Sequence, residues 1–108
     1  MNVQTISIPN KKCDKPSSGL ACVTGASSGI GAEFARQLAA EGYSVILVAR
    51  REDRLVDLGQ ELASDFRVEC ECITADLSDL NECEQLVLYL KSKREMPLDI
   101  LINNAGLA

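Results

Sequence analysis

Gly19-Leu20-Ala21-Cys22-Val23-Thr24-Gly25-Ala26-Ser27-Ser28-Gly29-Ile30-Gly31 is the stretch whose reading decides the fold. An apolar run of strand length enters a glycine-rich turn. The residues Ala32 to Ala40 follow, and Ile30, Phe34 and Leu38 recur every four positions, the repeat of one helix face. Strand, glycine turn and helix in that order build a phosphate site. Gly25 can take backbone angles closed to other residues, and Gly29 puts no side chain between the main chain and a pyrophosphate. Gly31 lets the helix close on the strand, while the N–H groups at the helix start face the anion. Ser27 and Ser28 add hydroxyl donors. The spacing is G-x3-G-x-G rather than G-x-G-x-x-G, and no Lys-Ser/Thr pair follows Gly31, which excludes a P-loop. On this stretch alone a helix entry merely rich in glycine stays open, so the rest of the chain must decide.

With 108 residues the chain makes at most one domain. It is 46% hydrophobic and 25% charged, the balance of a globular protein. Eleven Lys and Arg stand against sixteen Asp and Glu, for a net charge of -5. No basic face can be assembled from these, so nucleic acid is a poor partner. The absence of His excludes a histidine base and the usual mixed zinc sites, and no metal ligand set is expected. Cys13, Cys22, Cys70, Cys72 and Cys83 form no C-x-x-C pair, and their odd number fits a reducing compartment. No signal peptide and no apolar run of about 18 residues is present. The expectation is a cytoplasmic protein that does not engage a membrane.

Working outward, residues 1–18 are polar and broken by Pro9 and Pro16, with Lys11, Lys12 and Lys15 between them. They read as a flexible amino-terminal arm, from which Val3, Ile6 and Ile8 could lie against the body. Glu41-Gly42 ends the first helix. The continuous run Tyr43 to Ala49 marks a strand buried on both faces of a parallel sheet and leads into Arg50-Arg51. Glu52 to Ser64 is an amphipathic helix with Leu55, Leu58 and Leu62 on one face; Gly59 weakens it by about 1 kcal/mol relative to Ala. Phe66 to Thr74 alternates apolar and charged residues, which suits an edge strand with one wet face. After Asp76-Leu77, Ser78 or Asp79 caps a third helix that runs to about Arg94 with Leu80, Cys83, Leu86, Val87 and Leu90 on one face, and Pro97 blocks its continuation. Leu98 to Ile102 is a short strand entering Asn103-Asn104-Ala105-Gly106. The pattern β-α-β-α-β-α-β with right-handed crossovers gives a Rossmann-like, doubly wound parallel α/β sheet in the order 3-2-1-4, over residues 19–108 and truncated after its fourth strand.

These motifs resemble those of the classical short-chain dehydrogenases/reductases. Thr24 to Gly31 is similar to that family's cofactor turn, Asp76-Leu77 to its acidic pair after the third strand, and Asn103-Asn104-Ala105-Gly106 to its fourth-strand motif. The resemblance covers about residues 18 to 107. It implies that Gly25, Ser27, Ser28, Gly29, Ile30 and Gly31 hold a pyrophosphate, that Asp76 and Leu77 hold adenine, and that Asn103, Ala105 and Gly106 line the ribose and brace the sheet.

Cofactor preference reads from the end of the second strand. NAD sites place an acid there, about 20 residues past the glycines. Ala49, Arg50 and Arg51 occupy that region instead. A guanidinium offers paired hydrogen bonds to a 2'-phosphate, which favours NADP(H) over NAD; the competing reading is two solvated arginines balancing Glu52 and Asp53. The family's catalytic serine and Tyr-x-x-x-Lys follow its fourth strand, and the resemblance leaves this chain with no acid–base residue. Tyr89 and Lys93 have the Tyr-x-x-x-Lys spacing but precede that strand, so Tyr89 is read as helix surface or core edge. The resemblance implies the NADP(H)-binding part of a hydride-transferring oxidoreductase. The alternative is a non-catalytic nucleotide-binding or interaction module. Self-association through the open fourth strand is expected in either case.

Overall fold

Five strands among the described residues form one sheet: β1 (Gln4–Ile8), β2 (Leu20–Thr24), β3 (Ser44–Ala49), β4 (Cys70–Thr74) and β5 (Leu98–Asn103). Their spatial order is β1-β4-β3-β2-β5. The computed structural model describes residues 4–8, 17–27, 29–93 and 97–104. Val3, Pro9, Lys11, Lys12, Cys13, Lys15, Pro16, Ser28, Arg94, Ala105 and Gly106, named above, lie outside them. The four strands β4, β3, β2 and β5 are parallel neighbours, as the order 3-2-1-4 requires. Helix α1 (Gly29–Ala40) joins β2 to β3, α2 (Glu52–Phe66) joins β3 to β4, and α3 (Leu80–Lys91) joins β4 to β5.

The two faces of the sheet carry separate cores. On one, Val23, Val45, Leu47, Cys70 and Cys72 meet Ala35 and Ala39 of α1 and Leu55, Leu58 and Leu62 of α2. On the other, Cys22, Ile46, Val48 and Ile73 meet Leu86 of α3. β3 is buried along its whole length. Each fully buried Leu, Ile or Val contributes about 1.5–3 kcal/mol, so this strand and α2 anchor the fold. Burial pushes the Cys22 and Cys70 thiols up to about 12 and Cys72 to about 11, so these side chains act as small hydrophobes.

Four local expectations change. The fifth strand, β1, pairs antiparallel with β4 from within the stretch read as an arm. Its Ile6 and Ile8 face α2 and its Thr5 and Ser7 remain exposed, so β4 is interior rather than an edge. The second helix runs on through Phe66, and Arg67 closes it in the left-handed conformation (φ 56°), its N–H donating to Ala63 O. Residues 66–69 are therefore not strand. In α1 the buried face is Gly31, Ala32, Ala35 and Ala39. Small residues let the helix sit close against the sheet, which leaves Ile30 and Phe34 at 68% and 43% exposure. In α3, of the five positions expected on one face, only Leu86 is buried, while Leu80 and Val87 face outward.

Candidate functional site

The carboxyl ends of β2, β3, β4 and β5 line up, because register pairs Thr24 with both Val48 and Asn103, and Ala49 with Thr74. Each strand then delivers its motif to the same rim: the glycine turn after Thr24, Arg50-Arg51 after Ala49, Asp76-Leu77 after Thr74, and Asn103-Asn104 at the end of β5. In a doubly wound sheet this rim, at the point where strand order reverses between β2 and β5, is where ligands bind.

The glycine turn is held by its neighbours. Ala26 N–H donates to Val48 O (3.1 Å). Asn104 N–H donates to Thr24 Oγ1 (3.0 Å), and Asn104 Nδ2 donates to Gly25 O (3.4 Å). Thr24 Oγ1 in turn faces Asn103 Oδ1 at 3.2 Å. β5 thus braces the turn from the side. Gly31 has no room for a side chain: a Cβ would run into Gly25 O and stand 2.7 Å from Asn104 Nδ2. Gly29 is the reverse case. Its φ is +59°, and a Cβ there would meet nothing within 4 Å among the described residues. Open space in front of a left-handed glycine at a helix start is the cradle a pyrophosphate needs. The first turn of α1 carries no acid, whereas that of α2 carries Glu52 and Asp53. Of these two helix starts, α1 is the one whose dipole is left for an anion. These residues fit a dinucleotide phosphate.

Arg50 and Arg51 are both exposed at the end of β3. Arg51 caps α2 through its backbone, and its guanidinium lies 3.8 Å from Asp53. Arg50 makes no ion pair among the described residues, and its charge reaches Asp76. The Asp76 carboxyl is held below its ordinary pKa first by the Ser78 hydroxyl (2.6 Å) and N–H (3.0 Å), and then by Arg50. The Asp76 N–H donates to Glu82 Oε1 (2.9 Å), and Asp79 caps α3 by accepting from Asn81 and Glu82 N–H. The Asp76-Leu77 turn is therefore fixed by α3. Ser28, Ala105 and Gly106 lie outside the described residues, and Ile30 stands exposed on the first turn of α1.

Thr74 carries no signal in the sequence, and Thr24 enters it only as the first residue of the cofactor turn. Thr24 is the hub of the β2–β5 brace, legible only once Asn104 is known to be adjacent. Thr74 Oγ1 is buried without a hydrogen-bond partner among the described residues. Tyr89 and Lys93 are brought together, away from the rim. The Tyr89 hydroxyl donates to Glu71, Lys93 Nζ reaches the same carboxylate at 2.7 Å, and it lies 5.0 Å from the Tyr89 ring centre. Burial, then Glu71, pushes the phenol pKa up, opposite to what a proton-exchanging tyrosine needs. The cluster fastens α3 to β4.

Among the described residues no group of acidic or sulfur side chains could hold a metal, and no helix is long and apolar enough to cross a membrane. The family model for the short chain dehydrogenases matches residues 19–108. A very-long-chain 3-oxoacyl-CoA reductase of Kluyveromyces lactis is 38% identical over 96 residues, 89% of this chain and 28% of that protein. A short-chain dehydrogenase from Sphingobium yanoikuyae, solved in complex with NADPH, matches with a TM-score of 0.78 and 38% identity over 83% of this chain and 34% of its own. The bulky-bulky ketone specific alcohol dehydrogenase from Comamonas testosteroni matches equally well in shape, TM-score 0.78, at 34% identity over 86% of this chain and 36% of its own. The chain thus spans about a third or less of the length of these relatives.

Proposed function

Because the chain belongs to the short-chain dehydrogenase family, we propose that it holds NADP(H) at the carboxyl rim of its sheet, as the cofactor-binding portion of a reductase. The observation that supports this reading is the strand register, which brings the glycine turn after Thr24, Arg50 after Ala49 and Asp76 after Thr74 to one rim of the sheet. Gly25, Ser27, Ser28, Gly29, Ile30 and Gly31 take the pyrophosphate, Arg50 with Arg51 the 2'-phosphate, Asp76 and Leu77 the adenine. Asn103, Ala105 and Gly106 border the ribose. The bound nicotinamide supplies a hydride for exchange with a carbonyl or alcohol. A 3-oxoacyl thioester is the carbonyl class suggested by the Kluyveromyces lactis relative. No residue of this chain is assigned the proton transfer, and the reading keeps the cytoplasm as its compartment.

NADPH and NADH binding, followed by cofactor fluorescence, tests the assignment. The unmutated protein binds NADPH more tightly. Arg50→Ala removes about 1.5–3 kcal/mol of that preference, the worth of hydrogen bonds to a charged group. Equal dissociation constants in the unmutated protein would defeat it.

A second reading, an interaction module, is favoured by the outer side of β5. Leu101 is 55% exposed there, and the strand's far edge has no partner strand among the described residues. An open, apolar edge templates strand pairing, so the protein self-associates through β5. Sedimentation velocity across a concentration series tests this. Association weakened by Leu101→Lys supports it, and a monomer at every concentration contradicts it.

A further inference from the structure

β1 is outside every motif described so far, since the family match begins at Gly19 and β1 ends at Ile8. It is nevertheless built into the fold. Five register pairs tie it to β4. Ile8 is buried in a notch on α2 that exists because residue 59 is glycine. A Cβ on Gly59 would stand 2.9 Å from Ile8 Cγ1 and 2.8 Å from Cys72 Sγ. Ile6 packs on the same core.

The register also states where β1 leads. Gln4 lies opposite Thr74, and Thr74 lies opposite Ala49, so the start of β1 shares the row from which Arg50 and Asp76 emerge. Across that row Ala75 N–H donates to Ala49 O (3.0 Å). A displacement of β4 along its axis therefore reaches the Asp76 turn and the Arg50 turn together.

We propose that β1 is a positioning element for the adenosine end of the nucleotide site. Seated in the Gly59 notch, it holds the end of β4 in the register that sets Asp76 and Leu77 against Arg50. The proposal rests on the nucleotide reading above. A ligand that binds only the seated state must tighten the seating in return, because coupling between two events is reciprocal.

The experiment attacks the notch from both sides, with Ile8→Asp and Gly59→Ala, and uses Ile8→Val as the conservative variant. Each is titrated with NADPH, with 2',5'-ADP, which occupies only the adenosine end, and with reduced nicotinamide mononucleotide, which does not. Amide hydrogen exchange is followed in parallel. Both disruptive variants are expected to weaken NADPH and 2',5'-ADP about tenfold, as when only a tenth of molecules remain competent, and Ile8→Val less than twofold. The mononucleotide stays unchanged, and exchange quickens at residues 70–78 but not in β2 or β5. A merely structural role would weaken all three ligands alike and raise exchange throughout, and that result overturns the proposal. So does unchanged 2',5'-ADP binding in both variants. If the unmutated protein binds none of the three ligands, the nucleotide reading itself falls, and this role with it.

Discussion

Replacing Gly31 with Ala puts the close approach of α1 to the glycine turn to the test. In an ordinary helix interior this change stabilises by up to about 1 kcal/mol. Here the new methyl group would run into Gly25 O and stand 2.9 Å from the Gly25 carbonyl carbon and 2.7 Å from Asn104 Nδ2. Two of these atoms are backbone, and the third belongs to the amide that braces the turn, so no simple rotamer change relieves the contact. Overpacking of this kind costs about 1–3 kcal/mol. Losing the Asn104–Gly25 hydrogen bond adds about 1 kcal/mol. With the helix gain offset, the net loss is about 1–3 kcal/mol. At about 4–8 °C per kcal/mol for a domain of this size, that lowers the midpoint by roughly 4–24 °C. Thermal unfolding followed by circular dichroism measures it. A Gly31→Ala protein that melts at or above the parent would refute the geometry argued for the turn.

Thr74→Val should raise stability by about 1–3 kcal/mol, because it removes a buried hydroxyl with no partner among the described residues and keeps the shape; urea unfolding showing a loss would mean that the hydroxyl is satisfied. High pH should weaken the attachment of α3. Burial opposes the charge on Lys93, yet Glu71 raises its pKa above 10.5, and burial with Glu71 raises Tyr89 above 10.0. Groups with raised folded pKa values contribute stability that is whole below the unfolded values and lost as pH climbs through the folded ones. Unfolding midpoints should therefore drop above pH 10.0 more steeply in the parent than in Tyr89→Phe/Lys93→Gln, and parallel profiles would contradict this. The reverse sign holds for Glu61, which the Arg36 hydrogen bond holds below 4.5, so its contribution fades as acid protonates it; Arg36→Gln should flatten the acid limb of the stability profile.

Parallel strand order was legible because β3 is an unbroken apolar run and the glycine turn fixes what precedes α1. The positions of Arg50, Asp76 and Asn103 on one rim followed from strand ends alone. What escaped sequence reading escaped for physical reasons. Ile30, Phe34 and Leu38 carry the hydrophobic repeat of α1, but close packing selected Gly31, Ala32, Ala35 and Ala39, whose small size gives almost no periodic signal. Arg67 ends α2 in a conformation usually announced by glycine, so the boundary carried no mark. β1 is short, and its apolar side is only Ile6 and Ile8; its place became visible through Gly59, a residue read as a mere weakness of α2. The Tyr89 and Lys93 spacing was legible, but Glu71, the carboxylate that gathers them, sits on a strand 18 residues earlier.

An amide chemical-shift map of the protein with and without NADPH tests the central claim most directly. The account predicts shifts concentrated in Gly25 to Gly31, at Arg50, in Asp76 to Ser78 and at Asn103-Asn104, with Glu71, Tyr89 and Lys93 undisturbed. A map without shifts, or with its shifts gathered around Glu71, Tyr89 and Lys93, would contradict it.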